Sequence, residues 1–151
     1  MTATEYGPIT EHLSYVCEQH AVANPPPNQP TSSPLVGKVD VRQLDWFSES
    51  DAAALAALPP YDVVLVSDCT LNAKEVPTLV GVIKKFHDLS KRGTGKGAAV
   101  YVGLCRERDG TQLFLDMCDD MCDAVDFVEY QHPLFESRRF VVVDLKFKEE
   151  A

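Results

Sequence analysis

Long apolar runs are missing from this sequence. Its strand-like stretches are broken by charges or turns well short of membrane-spanning length, which excludes a transmembrane reading of them. Zinc-like cysteine spacing is also missing: Cys17, Cys69, Cys105, Cys118 and Cys122 are odd in number and irregularly placed. With no signal peptide read ahead of them, they point to a reducing compartment and a cytoplasmic location. Cys118 and Cys122 are expected one helical turn apart as core residues, with no metal site. Basic charge is scarce, with 14 Lys and Arg against 23 acids and a net charge of −9. That balance argues against a nucleic-acid backbone as partner, because phosphate binding depends on clustered cations. The small clusters Lys84-Lys85, Lys91-Arg92 and Arg138-Arg139 read as solvated faces and loop ends. Finally, no glycine-rich turn between a strand and a helix precedes residue 61. Gly93, Gly95 and Gly97 fall in a later, basic stretch expected to be a loop.

What is present fits one domain of 151 residues with an ordinary apolar content. Ile9, Leu13, Val16 and Cys17 recur at helical spacing and predict an amphipathic helix ending near Ala23. Residues 24–36, with five prolines from Pro25 to Pro34, offer little to bury and few hydrogen-bond donors, and are expected to be a flexible loop. Lys38 to Leu44 alternates as a strand near a sheet edge, and Ser48 to Leu58 reads as a short alanine-rich helix.

The most informative segment is Tyr61-Asp62-Val63-Val64-Leu65-Val66-Ser67-Asp68. Such a run of β-branched residues is expected to be a central strand buried on both faces, and open α/β sheets bind ligands at the turn after such a strand. Asp68 therefore stands where chemistry is expected. Val76, Leu79, Val80, Ile83 and Phe86 then mark a long helix, Ala98 to Cys105 a second buried strand, and Thr111 to Met121 a third amphipathic helix. Two last strands, Ala124–Glu129 and Phe140–Phe147, imply a mixed sheet finished by an antiparallel pair.

This order, together with Leu44-Asp45-Trp46 and Asp62 to Leu71, resembles the carboxy-terminal two-thirds of class I, seven-strand methyltransferases that use S-adenosylmethionine (SAM). More narrowly, it resembles the non-SET protein lysine methyltransferases. The resemblance implies an α/β, Rossmann-like but incomplete seven-strand fold, with a mostly parallel sheet and an antiparallel carboxy-terminal strand. It also implies a fragment that lacks the first strand and its glycine-rich turn, and on that ground the chain alone is expected to bind SAM weakly and to be inactive.

The resemblance assigns residues as well. Glu5 matches the acid that holds the SAM ribose hydroxyls; read alone, it is equally an acid favoured near a helix N-terminus. Asp45 and Trp46 match the acid and aromatic beside the adenine, against the alternatives of a helix-capping Asp and a core Trp. Ser67 joins this cofactor-binding set. Asp68 matches the acid that orients the acceptor lysine amine and is the expected catalytic residue. Leu71 stands in the substrate-binding place of an aromatic and lacks a π-face for a methylated cation. The expected activity is SAM-dependent methylation of a protein lysine. The rival expectation is a non-catalytic Rossmann-like interaction module that has lost cofactor binding.

Overall fold

The computed structural model of the chain describes residues 2–5, 9–23, 40–57, 59–70, 72–131 and 139–148. The expected proline-rich loop at 24–36 and the site residue Leu71 lie outside them. The chain divides into two compact units, Met1–Leu55 and Ala56–Ala151.

In the first unit, β1 (Thr2–Glu5) pairs in parallel with β2 (Asp40–Gln43), from Thr2 opposite Asp40 to Glu5 opposite Gln43. Parallel neighbours need a crossover, and α1 (Ile9–Ala23) lies between the two strands in the chain. Hydrophobic periodicity gave no sign of β1, whose four residues Thr-Ala-Thr-Glu carry no large apolar side chain. Beyond β2, Leu44 is buried, and a turn leads into α2 (Glu49–Ala56).

In the second unit, β3 (Val63–Ser67), α3 (Val76–Thr94), β4 (Ala99–Cys105), α4 (Thr111–Met121), β5 (Cys122–Gln131) and β6 (Arg139–Phe147) follow in order. A single 3₁₀ turn, Ala73–Glu75, precedes α3. The sheet is mixed, with spatial order β3-β4-β6-β5. β3 and β4 pair in parallel, while β6 runs antiparallel to both β4 and β5. Alternation along β4 and β6 buries Val100, Val102, Leu104, Val141, Val143 and Leu145 on one face. Directly opposite pairs such as Val102 and Val143 share that face. Val80 and Ile83 of α3 and Phe114, Cys118 and Met121 of α4 close over Leu145 and Phe147 there.

Three local expectations change. β3 is not buried on both faces: Val63 and Leu65 are 48% and 73% exposed, and Val64 and Val66 are only half-buried. The reason is its position: among the described residues β3 pairs only with β4, and the helices that build the core pack on the opposite face. The basic loop expected from Lys91 is helical through Thr94. α3 stops at Gly95, whose φ of 76° is a left-handed cap and whose N–H donates to the Lys91 carbonyl at 2.8 Å. Lys91 and Arg92 thus complement the helix dipole in its last turn. Lastly, Cys118 and Cys122 do not share a helix, because Cys122 opens β5 directly after α4. Both are buried, as expected of core residues. No described helix is long and apolar enough to cross a membrane.

Candidate functional site

Parallel strands present their carboxyl ends together. In the first unit this places Glu5, the last residue of β1, at the same end as Asp45 and Trp46, which follow β2. Glu5 is therefore a strand-end acid rather than a helix N-terminal one. Asp45 makes a tight turn by accepting from the Phe47 N–H through Oδ1 at 2.9 Å. Its own N–H donates to Asp51 Oδ2 at 2.9 Å, and Ser48, just before α2, accepts from the Asp51 N–H at 3.2 Å. Ser48 rather than Asp45 is thus the residue that caps the helix. Trp46 is half-buried and outside the core.

At the carboxyl end of β3, Ser67 is exposed and its carbonyl accepts from the Cys69 thiol at 3.1 Å. Asp68 follows with a φ of 48°, a left-handed conformation that Asp tolerates better than most residues because its short side chain bonds locally. Its N–H donates to the Gly103 carbonyl at 2.7 Å, which continues the β3–β4 ladder one residue past the strand. Its carboxylate meets Arg108, from the loop between β4 and α4, as a two-pronged pair. Arg108 Nε donates to Oδ1 at 3.1 Å and Nη2 donates to Oδ2 at 2.6 Å. The hydrogen bond to Asp68 raises the Arg108 pKa above its ordinary value; desolvation opposes this and the Asp68 charge adds to it.

The same two loops are fastened below this pair. Thr70 and Thr111 are buried with their hydroxyls 2.8 Å apart, and Thr111 Oγ1 donates to the Cys105 carbonyl at 2.8 Å. A hydroxyl has one hydrogen, so Thr70 must donate to Thr111. The Gly110 N–H donates to the Thr70 carbonyl at 3.0 Å. A Cβ at Gly110 would lie 2.6 Å from Val76 Cγ2 and 2.8 Å from that carbonyl, so only glycine lets the loops approach this closely. Asp109 Oδ2 accepts from the Ala73 N–H at 3.4 Å.

A profile of the lysine methyltransferase family matches residues 28–121, more than half of the chain. This chain belongs to that lysine methyltransferase family. The assignment is to the non-SET, class I kind that the order of motifs had pointed to. The matched segment of this family member takes in Asp45, Trp46, Ser67, Asp68, Leu71 and Arg108 and leaves out Glu5. No curated protein matches the chain. Arg108, Thr70 and Thr111 are residues that sequence reasoning passed over. A signal for Arg108 was there: Arg106-Glu107-Arg108-Asp109-Gly110 is a charged turn directly after a strand, the same context that singled out Asp68.

Proposed function

We propose that this family member serves SAM-dependent transfer of a methyl group to a lysine of a protein substrate, with Asp68 orienting the acceptor amine. The observation that carries the reading is the placement of Asp68: left-handed at the carboxyl end of β3, tied to Arg108, and inside the family match. We further read residues 1–151 as one methyltransferase-like domain with an incomplete seven-strand sheet. The strand order β3-β4-β6-β5, with β6 alone reversed, supports that reading.

The donor set suits the cofactor. Glu5 would accept from the ribose hydroxyls, Asp45 Oδ2 would accept from the adenine amine while Oδ1 stays on Phe47, and Trp46 would give the ring an apolar wall. SAM supplies an electrophilic methyl group on a sulfonium when bound. Asp68 would accept a hydrogen bond from the acceptor amine and so aim the nitrogen's electron pair. The chain's task is then to hold an unprotonated amine in line, which alone supplies much of the rate. Leu71, where the family has an aromatic, favours a second reading: an interaction module without catalysis.

The test is a transfer assay with radiolabelled SAM and a protein extract, run on the chain and on any longer form of the protein that contains it. Calorimetry measures SAM binding in parallel. The chain alone is expected to bind SAM weakly and to transfer nothing; label on lysine is expected of a longer form, where Asp68→Asn should cut the rate about tenfold or more, on the scale of one lost orienting contact, with SAM affinity unchanged. Wild-type transfer by the Asn variant removes Asp68 from the account. A longer form that neither binds SAM nor labels lysine supports the non-catalytic module, which has lost cofactor binding.

A further inference from the structure

A bare carboxylate beside an acceptor amine raises a difficulty. Opposite charge stabilises the ammonium form, and an ammonium has no electron pair with which to attack a methyl group. Asp68 is not bare. Its two oxygens each receive one N–H of Arg108, at 3.1 and 2.6 Å, in the two-pronged geometry that makes guanidinium–carboxylate pairs strong and directional. Each carboxylate oxygen still has a second acceptor direction, so the pair can take an N–H from a ligand while carrying almost no net charge.

The neighbouring acids are otherwise engaged. Asp109 accepts from the Ala73 N–H, and Glu107 accepts from the Arg139 N–H and lies 3.6 Å from the Arg139 guanidinium. Asp68 and Arg108 both remain partly exposed, with side chains 39% and 31% accessible, so a ligand can reach the pair.

We propose that Arg108 is a positioning residue that cancels the charge of Asp68 while fixing its direction, so that the site selects the neutral amine of lysine over the ammonium. This rests on the reading of Asp68 as the residue that meets the acceptor amine. It makes the pair a hydrogen-bond acceptor without a monopole. Arg108 contributes twice, by aiming the carboxylate from a turn held in the left-handed conformation and by repelling a second cation.

The test needs no transfer activity. The probe is n-butylamine at pH 7, where it is a cation shaped like a lysine side-chain end, titrated into the full chain at low salt. The amide NMR signals of Asp68, Cys69 and Thr70 report binding. Arg108→Gln should bind butylammonium about two- to fivefold more tightly than the wild type, the range for a partly exposed charge pair, and added salt should erase the gain. Arg108→Lys keeps the charge and should stay near wild type. Asp68→Asn, which suits the left-handed turn, supplies a second measurement if Arg108→Gln does not fold: the guanidinium loses its counter-charge, and sulfate should bind more tightly there than in the wild type.

No gain in butylammonium binding by folded Arg108→Gln, or no gain in sulfate binding by Asp68→Asn, overturns the proposal while leaving the transfer test of Asp68 untouched. A butylammonium gain that persists when Asp68→Asn is added to Arg108→Gln shows that Asp68 does not meet the amine. That outcome overturns the functional reading as well.

Discussion

Thr111 joins two loops through one hydroxyl. It accepts from Thr70 and donates to the Cys105 carbonyl, all three being buried. Thr111→Val keeps the shape but strands the Thr70 hydroxyl and leaves the Cys105 carbonyl with the Arg108 N–H alone, a cost of about 1–3 kcal/mol for the one orphaned group. Thr111→Ser retains the bonds and should cost about 1 kcal/mol for the lost methyl. Denaturant melts of the two variants check this, and equal losses would show that the hydroxyl carries no weight. Cys118 gives a pH dependence. Burial, with smaller contributions from Cys122 and Asp119, pushes its thiol from 9.0 up to about 12. Between those values the unfolded chain has lost this proton and the folded chain keeps it. Its contribution to stability is therefore fully present below pH 9 and lost as pH rises toward 12. Cys118→Ala should be less stable at pH 8 yet decline less steeply above pH 9, as read by denaturant midpoints across that range. Parallel curves for the two proteins would contradict the assignment. At this scale Asp68 was legible because an acid ends an apolar strand. Thr70 and Thr111 were not, since nothing in the sequence marks two threonines 41 positions apart as partners.

β3 shows where element reading succeeds and where it stops. The run Val63 to Ser67 is a strand as expected, but an unbroken apolar run looks the same whether both faces are covered or one is open. Burial depends on what packs against each face, which is not local information. Among the described residues its outer edge carries no partner strand and no charged side chain, the combination that invites pairing with another chain. Leu65→Thr is therefore expected to change stability by no more than about 0.5 kcal/mol, because an exposed position gives up little packing and Thr suits a strand. The same change should lower concentration-dependent association in light scattering. A loss of several kcal/mol would mean that Leu65 is covered in solution. The end of α3 was misplaced for a related reason. Three glycines within five residues suggested a loop, yet only Gly95 adopts the left-handed conformation that stops the helix.

At the scale of the whole molecule, the succession of elements was legible because strands and helices alternate with distinct periodicities. The strand order β3-β4-β6-β5 was not, because periodicity does not say which strands are neighbours. Net charge is the other property legible at this scale, and it bears on the choice of substrate. A chain at −9 repels polyanions and attracts cationic segments, so on the proposed function protein regions rich in lysine would be favoured at the encounter stage. Such attraction is screened over about 8–10 Å at 0.1–0.15 M salt, whereas in-line transfer, which we propose takes place at the end of β3, would be a short-range event. Raising the ionic strength from 0.05 to 0.3 M should therefore raise KM for a lysine-rich protein acceptor roughly threefold or more while leaving kcat nearly constant, since the field of the molecule acts on encounter rather than on chemistry. Steady-state kinetics at those two salt concentrations, on whichever form of the protein transfers the methyl group, decides it. A kcat that falls while KM holds would place the salt-sensitive interaction inside the site, with the partly exposed Asp68–Arg108 pair as the first place to look.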